Sequence, residues 1–289
     1  MRLILLTAVV LLAFAANSVL NRMAVGGAEI GAIPFAVIRA IAGATMLSVL
    51  VLAQRRGLPL LRPERIVGAG SLTVYLIGFS VAYVQIDAGL GALILFGGVQ
   101  ITMFAGAIIG GERPPARRWI GAGLALAGLA WLSWPTGQAA LPPIAVIAML
   151  LAAMGWGVYS LAGRTATDPM AETGANFLWA VPVLLLVAMA MPAQAGGAPM
   201  TPLGIALAVI AGALTSGLGY ALWYAVLPKL GGSVSALLQL TVPIIAMIAG
   251  VMLLNEAVTW RMIGAGAVTL GGIAYGLGLA QRKIGSSGS

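Results

Sequence analysis

The chain contains GERPPARRWIGAGLALAG at residues 111–128 and, half a chain later, NEAVTWRMIGAGAVTLGG at residues 255–272. In both stretches a Gly-Glu or Asn-Glu pair precedes the tetrapeptide IGAG, which lies at residues 120–123 and 263–266. A motif repeated at this distance indicates that the two halves of the chain share a common architecture.

The composition is that of an integral membrane protein. Hydrophobic residues make up 61% of the 289 residues and charged residues 8%, whereas about a quarter of the residues in soluble domains are charged. Apolar blocks of about 20 residues, long enough for a helix to cross the hydrocarbon layer, alternate with short clusters of Arg, Pro and Gly. These blocks lack the alternating pattern of a β-barrel. We therefore predict an all-α integral membrane protein.

A hydropathy window predicts ten transmembrane helices. They lie near residues 3–24, 33–54, 65–86, 88–110, 117–135, 142–164, 172–192, 202–227, 233–254 and 260–281. Because each half holds five helices, an odd number, the second half enters the membrane inverted relative to the first. We expect two inverted five-helix repeats, at residues 1–137 and 138–283, followed by a tag remnant at residues 284–289.

The basic residues orient the ten helices. With the N-terminus inside, twelve Lys and Arg residues lie near cytoplasmic helix ends and two, Arg22 and Arg261, near outer ends, as the positive-inside rule requires. We predict a protein of the bacterial inner membrane with both termini cytoplasmic. Topology, rather than nucleic-acid binding, then explains the net charge of +8. Arg39 lies within the second span, and we expect it to reach the outer interface or to pair with Glu29.

The residue inventory argues against an enzyme. The chain has no Cys and no His, so disulfides, thiolate nucleophiles and His-ligated metals are excluded. We expect no catalytic residue, no cofactor and no metal. Glu112 and Glu256 end equivalent helices, where the helix dipole disfavours a carboxylate, and each should pair with an arginine. The candidate arginines are Arg113, Arg117, Arg118 and Arg261.

Aromatic residues recur on single faces of three predicted helices. They are Tyr75, Phe79 and Tyr83 in the third helix, Trp156 and Tyr159 in the sixth, and Tyr220, Trp223 and Tyr224 in the eighth. The third and eighth helices hold corresponding positions in the two halves, as a pseudo-symmetric cavity requires. We interpret these residues as the wall of a substrate cavity, with aromatic packing between helices as the alternative.

Carboxamides add hydrogen-bonding groups to the same spans. Asn17, Gln100 and Gln239 are candidate substrate ligands, whereas Asn21 is interpreted as a contact between helices. Pro243 lies one turn after Gln239 and removes a backbone donor, which predicts local unwinding of the ninth helix. Amides together with aromatic faces suit a zwitterion, since an ammonium group rests well on an aromatic ring.

Three features together resemble one known family. They are the ten spans in two halves, the stretch GWGVYSLAGR at residues 155–164, and the Glu followed by IGAG that ends each half. The chain resembles the drug/metabolite transporter superfamily, EamA type, and within it the bacterial YddG amino-acid exporters. The first half departs from that pattern, with AFAANSVLNR at residues 13–22 where the family often has a Trp-Gly pair. The resemblance covers residues 1–283 and implies a central cavity lined mainly by helices 1, 3, 4, 6, 8 and 9.

The leading functional prediction is a monomeric secondary transporter in the lipid bilayer. It would export amino acids, aromatic and other uncharged ones, or related metabolites by alternating access. An exporter of other small metabolites or drugs is one alternative, and a membrane scaffold protein that transports nothing is another. The predicted spans have no acidic residue at mid-membrane, which favours facilitated exit over proton coupling. Anionic substrates would need a basic cavity, and Arg39 is the only basic residue that we place even partly inside a predicted span.

Overall fold

The computed structural model describes residues 2–133, 142–190, 199–254 and 260–278. Within these ranges every secondary-structure element is helical, and the helices form ten rods. They are α1 (Arg2–Gly26), α2 (Ala32–Ala53), α3 (Glu64–Ala82), α4 (Ala88–Ile109), α5 (Ala116–Ser133), α6 (Pro143–Thr165), α7 (Pro169–Ala190), α8 (Pro202–Leu230), α9 (Gly232–Gln239 continuing as Val242–Leu254) and α10 (Trp260–Leu277). The predicted all-helical membrane fold is confirmed.

The rods have the length and surface of membrane helices. Eight of those in the described ranges are long and apolar enough to cross a bilayer, and Ile263–Leu277 is a shorter apolar helix. Large apolar side chains face outward at mid-helix, such as Ile101 in α4 (67% exposed) and Leu186 in α7 (65% exposed). Exposed apolar surface of this kind is stable only against lipid. The chain is therefore a multi-pass membrane protein.

Contacts between loops define the first of two faces of the bundle. Arg56, after α2, forms an ion pair with Asp168, after α6. Glu112, after α4, forms one with Arg164 at the end of α6 and accepts a hydrogen bond from the backbone N–H of Gly232 at the start of α9. Because most of the basic loop residues lie here, we call this side the basic face.

Three other contacts define the opposite face. Arg22, at the end of α1, pairs with Asp87 at the start of α4 at 2.8 Å. Glu29, before α2, accepts a 2.5 Å hydrogen bond from Thr201, before α8. Arg261, in α10, donates to the backbone of α5 near its end. Loops thus alternate between the faces along the chain, as ten crossing helices require, and the start of α1 and the end of α10 lie on the basic face.

The two IGAG copies of the repeated motif lie in α5 and α10, which pack against each other. A β-carbon at Gly121 of α5 would lie 2.6 Å from the backbone oxygen of Gly272 in α10, and one at Gly128 would lie 2.9 Å from that of Ala265. The two IGAG segments therefore belong to antiparallel helices whose backbones touch, which explains why both need small residues. Gly121 and Gly128 thus serve helix packing, whereas a β-carbon at Gly123 would meet nothing within 4 Å. Glu256, which we expected to pair with an arginine, lies outside the described residues.

Candidate functional site

A buried arginine lies at the centre of the bundle. Arg39 of α2 is 0% exposed. It donates hydrogen bonds to the hydroxyls of Ser216 (2.8 Å) and Tyr220 (2.6 Å) in α8 and of Tyr75 (3.2 Å) in α3. Its guanidinium carbon also lies 5.1 Å from the ring centroid of Phe79, within the range of a cation–π contact. Neutral groups therefore hold a full positive charge inside the bundle.

Our expectation for Arg39 was wrong. The side chain does not reach the interface, and Glu29 is engaged with Thr201 on the opposite face. Within the described ranges, the ion pairs of the structure leave Arg39 without a carboxylate. The sequence reasoning assumed that a long side chain would extend toward water, but the hydroxyls of α3 and α8 bind the guanidinium at its own depth.

Tyr75 and Tyr220 bring the two halves of the chain together. The Tyr220 hydroxyl donates to that of Tyr75 at 3.0 Å, and both hydroxyls accept from Arg39. The ring of Trp156 in α6 lies 5.0 Å from Tyr75 and 4.5 Å from Tyr220, measured between centroids. Phe14 of α1 lies 5.0 Å from Trp156. We call Arg39 and these four aromatic residues the central cluster.

Asn17 ties α1 to α8 beside the central cluster. Its amide oxygen accepts from the hydroxyls of Thr215 (2.6 Å) and Ser216 (3.1 Å), and its nitrogen donates to the Thr215 backbone at 3.1 Å. This part of α8, Ala211–Leu218, winds as a π-helix. Such wide turns are rare and are frequently found at functional sites. The predicted site residue Asn17 thus lies next to Arg39 through a shared partner, Ser216.

Gln239 lies where α9 breaks. The helix is interrupted at Leu240 and Thr241 and resumes at Val242, so the predicted unwinding near Pro243 is confirmed. The Gln239 side-chain oxygen accepts a 2.7 Å hydrogen bond from the indole of Trp156. Because Trp156 also contacts Tyr75 and Tyr220, Gln239 joins the central cluster through that indole.

Gln100 of α4 is buried with its amide unpaired. It is 2% exposed, and neither its oxygen nor its nitrogen has a hydrogen-bond partner among the described residues. One terminal nitrogen of Arg39, Nη1, is unpaired in the same sense. A buried polar atom without a partner costs about 1–3 kcal/mol. Such costs are expected where a protein keeps hydrogen-bonding capacity for another molecule.

A second aromatic group continues from the central cluster toward the basic face. Tyr159 and Tyr224 are stacked with centroids 4.7 Å apart, and the Tyr224 hydroxyl donates to the Tyr159 backbone oxygen at 2.9 Å. Trp223 donates from its indole to Ser160 at 3.0 Å and packs 5.4 Å from Phe14. The structure therefore joins α6 and α8 through the Tyr159–Tyr224 stack and the Trp223–Ser160 hydrogen bond.

Phe79 and Tyr83 continue toward the opposite face. The Phe79 ring lies 5.0 Å from that of Tyr75 and 4.7 Å from that of Tyr83. The Tyr83 hydroxyl donates to the Ala88 backbone at 3.3 Å, and the Tyr83 backbone oxygen accepts from Arg22. Tyr83 thus lies at the end of α3, close to the Arg22–Asp87 pair, and its ring contacts Phe79, which in turn contacts Tyr75 of the central cluster.

Two cavities with charged residues in their linings open on the two faces of the bundle. The first, about 230 Å³, opens on the basic face and is lined by Arg65, Glu172, Asn176 and Tyr224 among others. Arg65 and Glu172 form a buried ion pair at 3.0 Å. The second, about 400 Å³, lies on the opposite face and is lined by Arg22, Glu29 and Asp87 among others. We call them the basic-face cavity and the opposite-face cavity.

Glu112 anchors three loops on the basic face, with partners other than those expected. Its carboxylate pairs with Arg164 at 2.5 Å and accepts from the backbone N–H groups of Gly232 (2.8 Å) and Ser233 (3.4 Å). Arg118, one of the expected partners, donates instead to the Ser233 hydroxyl. Burial raises the pKa of the Glu112 carboxyl, but the two backbone hydrogen bonds and the Arg164 charge outweigh it and leave the pKa below its usual value.

Sequence reasoning missed several residues of the site. Phe14 contacts Trp156, Tyr220 and Trp223, and its spacing of three residues from Asn17 was the available signal. Phe177 of α7 stacks on Tyr220 at 6.0 Å and has no distinguishing pattern in the sequence. Helices α2 and α7 therefore contribute to a site that the family resemblance placed mainly on helices 1, 3, 4, 6, 8 and 9.

The fold and the comparisons with known proteins together identify a membrane transporter of small molecules. Residues 143–276 match the EamA-like transporter family. The chain is 43% identical over 274 residues to a protein of Pseudomonas aeruginosa, Uncharacterized protein PA1977, covering 94% of this chain and 93% of that one. The chain thus belongs to the same family as that protein and contains an EamA-like transporter domain, of the drug/metabolite transporter superfamily. This family consists of transporters rather than enzymes.

A solved structure has the same fold. It is the crystal structure of a protein that is 19% identical to this chain, and it superposes with a TM-score of 0.78 over 95% of this chain and 98% of the other. Because the relative from Pseudomonas aeruginosa carries no substrate in its name, the resemblance to the YddG amino-acid exporters stays a prediction.

Proposed function

We propose that the protein exports amino acids, aromatic and other uncharged ones, or related metabolites across the bacterial inner membrane. One observation carries the proposal: the central cluster and its amide neighbours lie between two cavities, each with charged residues in its lining, on opposite faces. On the basic face the Tyr159–Tyr224 stack separates the cluster from the cavity, since Tyr224 lines that cavity. The candidate ligands remain Asn17, Tyr75, Phe79, Tyr83, Gln100, Trp156, Tyr159, Tyr220, Trp223, Tyr224 and Gln239.

We propose alternating access by two inverted repeats, residues 1–137 and 138–283. The helix contacts support this division, since α5 packs against α10 and α2 packs against α7, and each of these pairs joins a helix to its counterpart in the other half. An inverted repeat allows one central site to face either side through equivalent rearrangements. In the structure the aromatic side chains fill the centre, with Trp156, Tyr159 and Tyr220 each at most 2% exposed. We interpret this arrangement as a closed state, and opening requires the Tyr159–Tyr224 stack or the Tyr83 end to separate.

The orientation follows from the basic face. Placing its arginines in the cytoplasm satisfies the positive-inside rule, so both termini are cytoplasmic and the basic-face cavity is the entrance for export. We propose that one chain is the working unit, because α1 to α10 contain both cavities and the central cluster.

The proposal is tested by counterflow. The purified protein in liposomes is loaded with unlabelled amino acids, and uptake of labelled leucine, phenylalanine and other members of an amino-acid panel is measured. We expect uptake that falls in Trp156→Ala and Tyr220→Ala and is unchanged in Tyr275→Phe, on the outer surface of α10. Transport of other metabolites or drugs but of no amino acid would favour the first alternative. Uptake of none would favour a scaffold.

A further inference from the structure

A positive charge at the centre of a bilayer-spanning bundle is costly, and it is retained where it has a function. Arg39 is such a charge, since its hydrogen-bond partners are the neutral hydroxyls of Ser216, Tyr75 and Tyr220. The ionic groups at the faces are instead close to the loops. Each carboxylate that forms an ion pair within the described ranges does so close to the loops. Helix packing by itself would be served equally well by a neutral side chain.

The guanidinium has unused capacity on one edge. Two of its nitrogens, Nε and Nη2, donate to hydroxyls, whereas Nη1 has no hydrogen-bond partner among the described residues and is fully buried. A planar guanidinium binds a carboxylate through two parallel hydrogen bonds, which are stronger than bonds to neutral acceptors. An incoming carboxylate that bonds to Nη1 and displaces the Tyr220 hydroxyl from Nη2 would form such a pair.

The surroundings of Arg39 suit the rest of a carboxylate-bearing solute. The rings of Tyr75, Phe79 and Tyr220 lie around the guanidinium and offer apolar and aromatic surface. Acidic residues that would bind a second positive charge are absent from the cluster as far as the structure describes it. The site therefore favours a single carboxylate joined to an apolar or aromatic body.

We infer that Arg39 binds the carboxylate of the transported solute and that the substrates are carboxylates with an apolar or aromatic remainder. This inference rests on the proposed function, and it adds one requirement to the substrate class, namely a carboxylate group. Amino acids meet the requirement through their α-carboxylate, and simple monocarboxylates meet it without an amino group. Removing the carboxylate charge from the solute, or the guanidinium from the protein, should have the same effect.

The test uses matched acids and amides. Binding of phenylacetate, phenylacetamide, L-phenylalanine and L-phenylalaninamide to the full chain in detergent is measured by calorimetry, and uptake by counterflow in liposomes. We expect the wild type to prefer each acid to its amide by about tenfold to a hundredfold. Arg39→Gln should lose this preference, and Arg39→Lys should keep part of it. Arg55→Gln, which removes an exposed charge from the α2–α3 loop, should bind like the wild type.

The outcomes separate the inference from the proposed function. Binding with acid preference but without uptake would support Arg39 as a carboxylate site and overturn the transport proposal. Uptake with equal preference for acid and amide, or an unchanged preference in Arg39→Gln, would overturn the inference and leave transport standing. Loss of stability in Arg39→Gln does not obscure the result, because the acid-to-amide ratio is measured on folded Arg39→Lys as well. Binding of none of the four compounds would overturn the inference.

Discussion

Arg39 of α2 donates a 2.6 Å hydrogen bond to the hydroxyl of Tyr220 in α8, so the second half of the chain holds a buried charge of the first. Any movement that separates α2 from α8 at this depth has to replace that bond. If Arg39 binds the substrate as we propose, substrate binding and helix movement are coupled at this pair, which leads to the first of five predictions.

Tyr220→Phe removes the hydroxyl that accepts from Arg39 and donates to Tyr75 while keeping the ring. A hydrogen bond to a charged group contributes about 1.5–3 kcal/mol, so we expect the unfolding free energy to fall by this amount and counterflow to decrease. Thermal unfolding in detergent and uptake in liposomes measure the two effects. Tyr275→Phe, at a side chain that is 45% exposed, is the matched control and should change neither. Equal behaviour of the two variants contradicts the role given to the Tyr220 hydroxyl.

Gln100→Leu and Gln239→Leu should have opposite effects on stability. Both amides are buried, but that of Gln100 is unpaired whereas that of Gln239 accepts from the Trp156 indole. Replacing an unpaired buried amide by a hydrocarbon should leave the melting temperature unchanged or raise it. Gln239→Leu leaves the indole without an acceptor and should cost about 1–3 kcal/mol.

Transport by the Gln100→Leu variant provides a second measurement. If Gln100 binds the substrate, Gln100→Leu should be as stable as the wild type and yet slower in counterflow. A variant that is both stable and fully active would remove Gln100 from the site.

Gly121→Ala should destabilise the protein and Gly123→Ala should not, although both glycines belong to one IGAG tetrapeptide. A β-carbon at Gly121 would lie 2.6 Å from backbone atoms of α10, whereas one at Gly123 meets nothing within 4 Å. We expect a loss of about 1–3 kcal/mol at Gly121 and a gain of up to about 1 kcal/mol at Gly123, where alanine favours the helix. The melting temperatures of the two variants in detergent decide this, and identical values would refute the close α5–α10 contact.

The stabilisation contributed by Glu112 should depend on pH. Because the pKa of its carboxyl is lowered in the folded state, its contribution is complete above the unfolded-state value of 4.5 and is lost as the pH falls through the lower folded-state pKa. Glu112→Gln should therefore melt below the wild type at neutral pH, and the gap should close in acid. Melting curves of both proteins over this pH range measure the gap. A gap that stays constant with pH would show that the charge of Glu112 is not the stabilising feature.

Opening of the opposite face can be followed with a single cysteine, since the chain has none of its own. Ser80 is 0% exposed and accepts a 3.2 Å hydrogen bond from Asn21, between α1 and α3. A second substitution, Asp87→Asn, is then added to the Ser80→Cys variant. It breaks the ion pair with Arg22 and should speed labelling of the cysteine by a membrane-impermeant maleimide added on that face. Asp168→Asn breaks a pair on the basic face instead and should leave this labelling no faster. Equal rates in all three backgrounds would rule out Arg22–Asp87 as a closing contact.

Much of the candidate site was predictable from helical spacing. Tyr75, Phe79 and Tyr83 share a face because they are four residues apart, and their rings do contact one another in sequence order. The break of α9 followed from Pro243, which lacks a backbone donor. Such properties depend on residues close together in the chain, so the sequence alone contains the necessary information.

The role of Arg39 was not predictable in this way. Its distance from the end of α2 allowed the side chain either to reach water or to turn inward, and only the hydroxyls of α3 and α8 decide between the two. Glu112 is a similar case, because its partner Arg164 follows it by 52 residues and competed with three nearer arginines.

The sequence by itself determined the membrane fold, the ten helices and the small residues where α5 meets α10, since hydropathy and side-chain volume act locally along each helix. Only the tertiary structure decided which polar groups face one another at the centre. Those pairings depend on how α1, α2, α3 and α8 rotate and pack, and a difference of one residue in rotation moves a side chain by about 100° around the helix axis. Arg39 among tyrosine hydroxyls is the result of that packing.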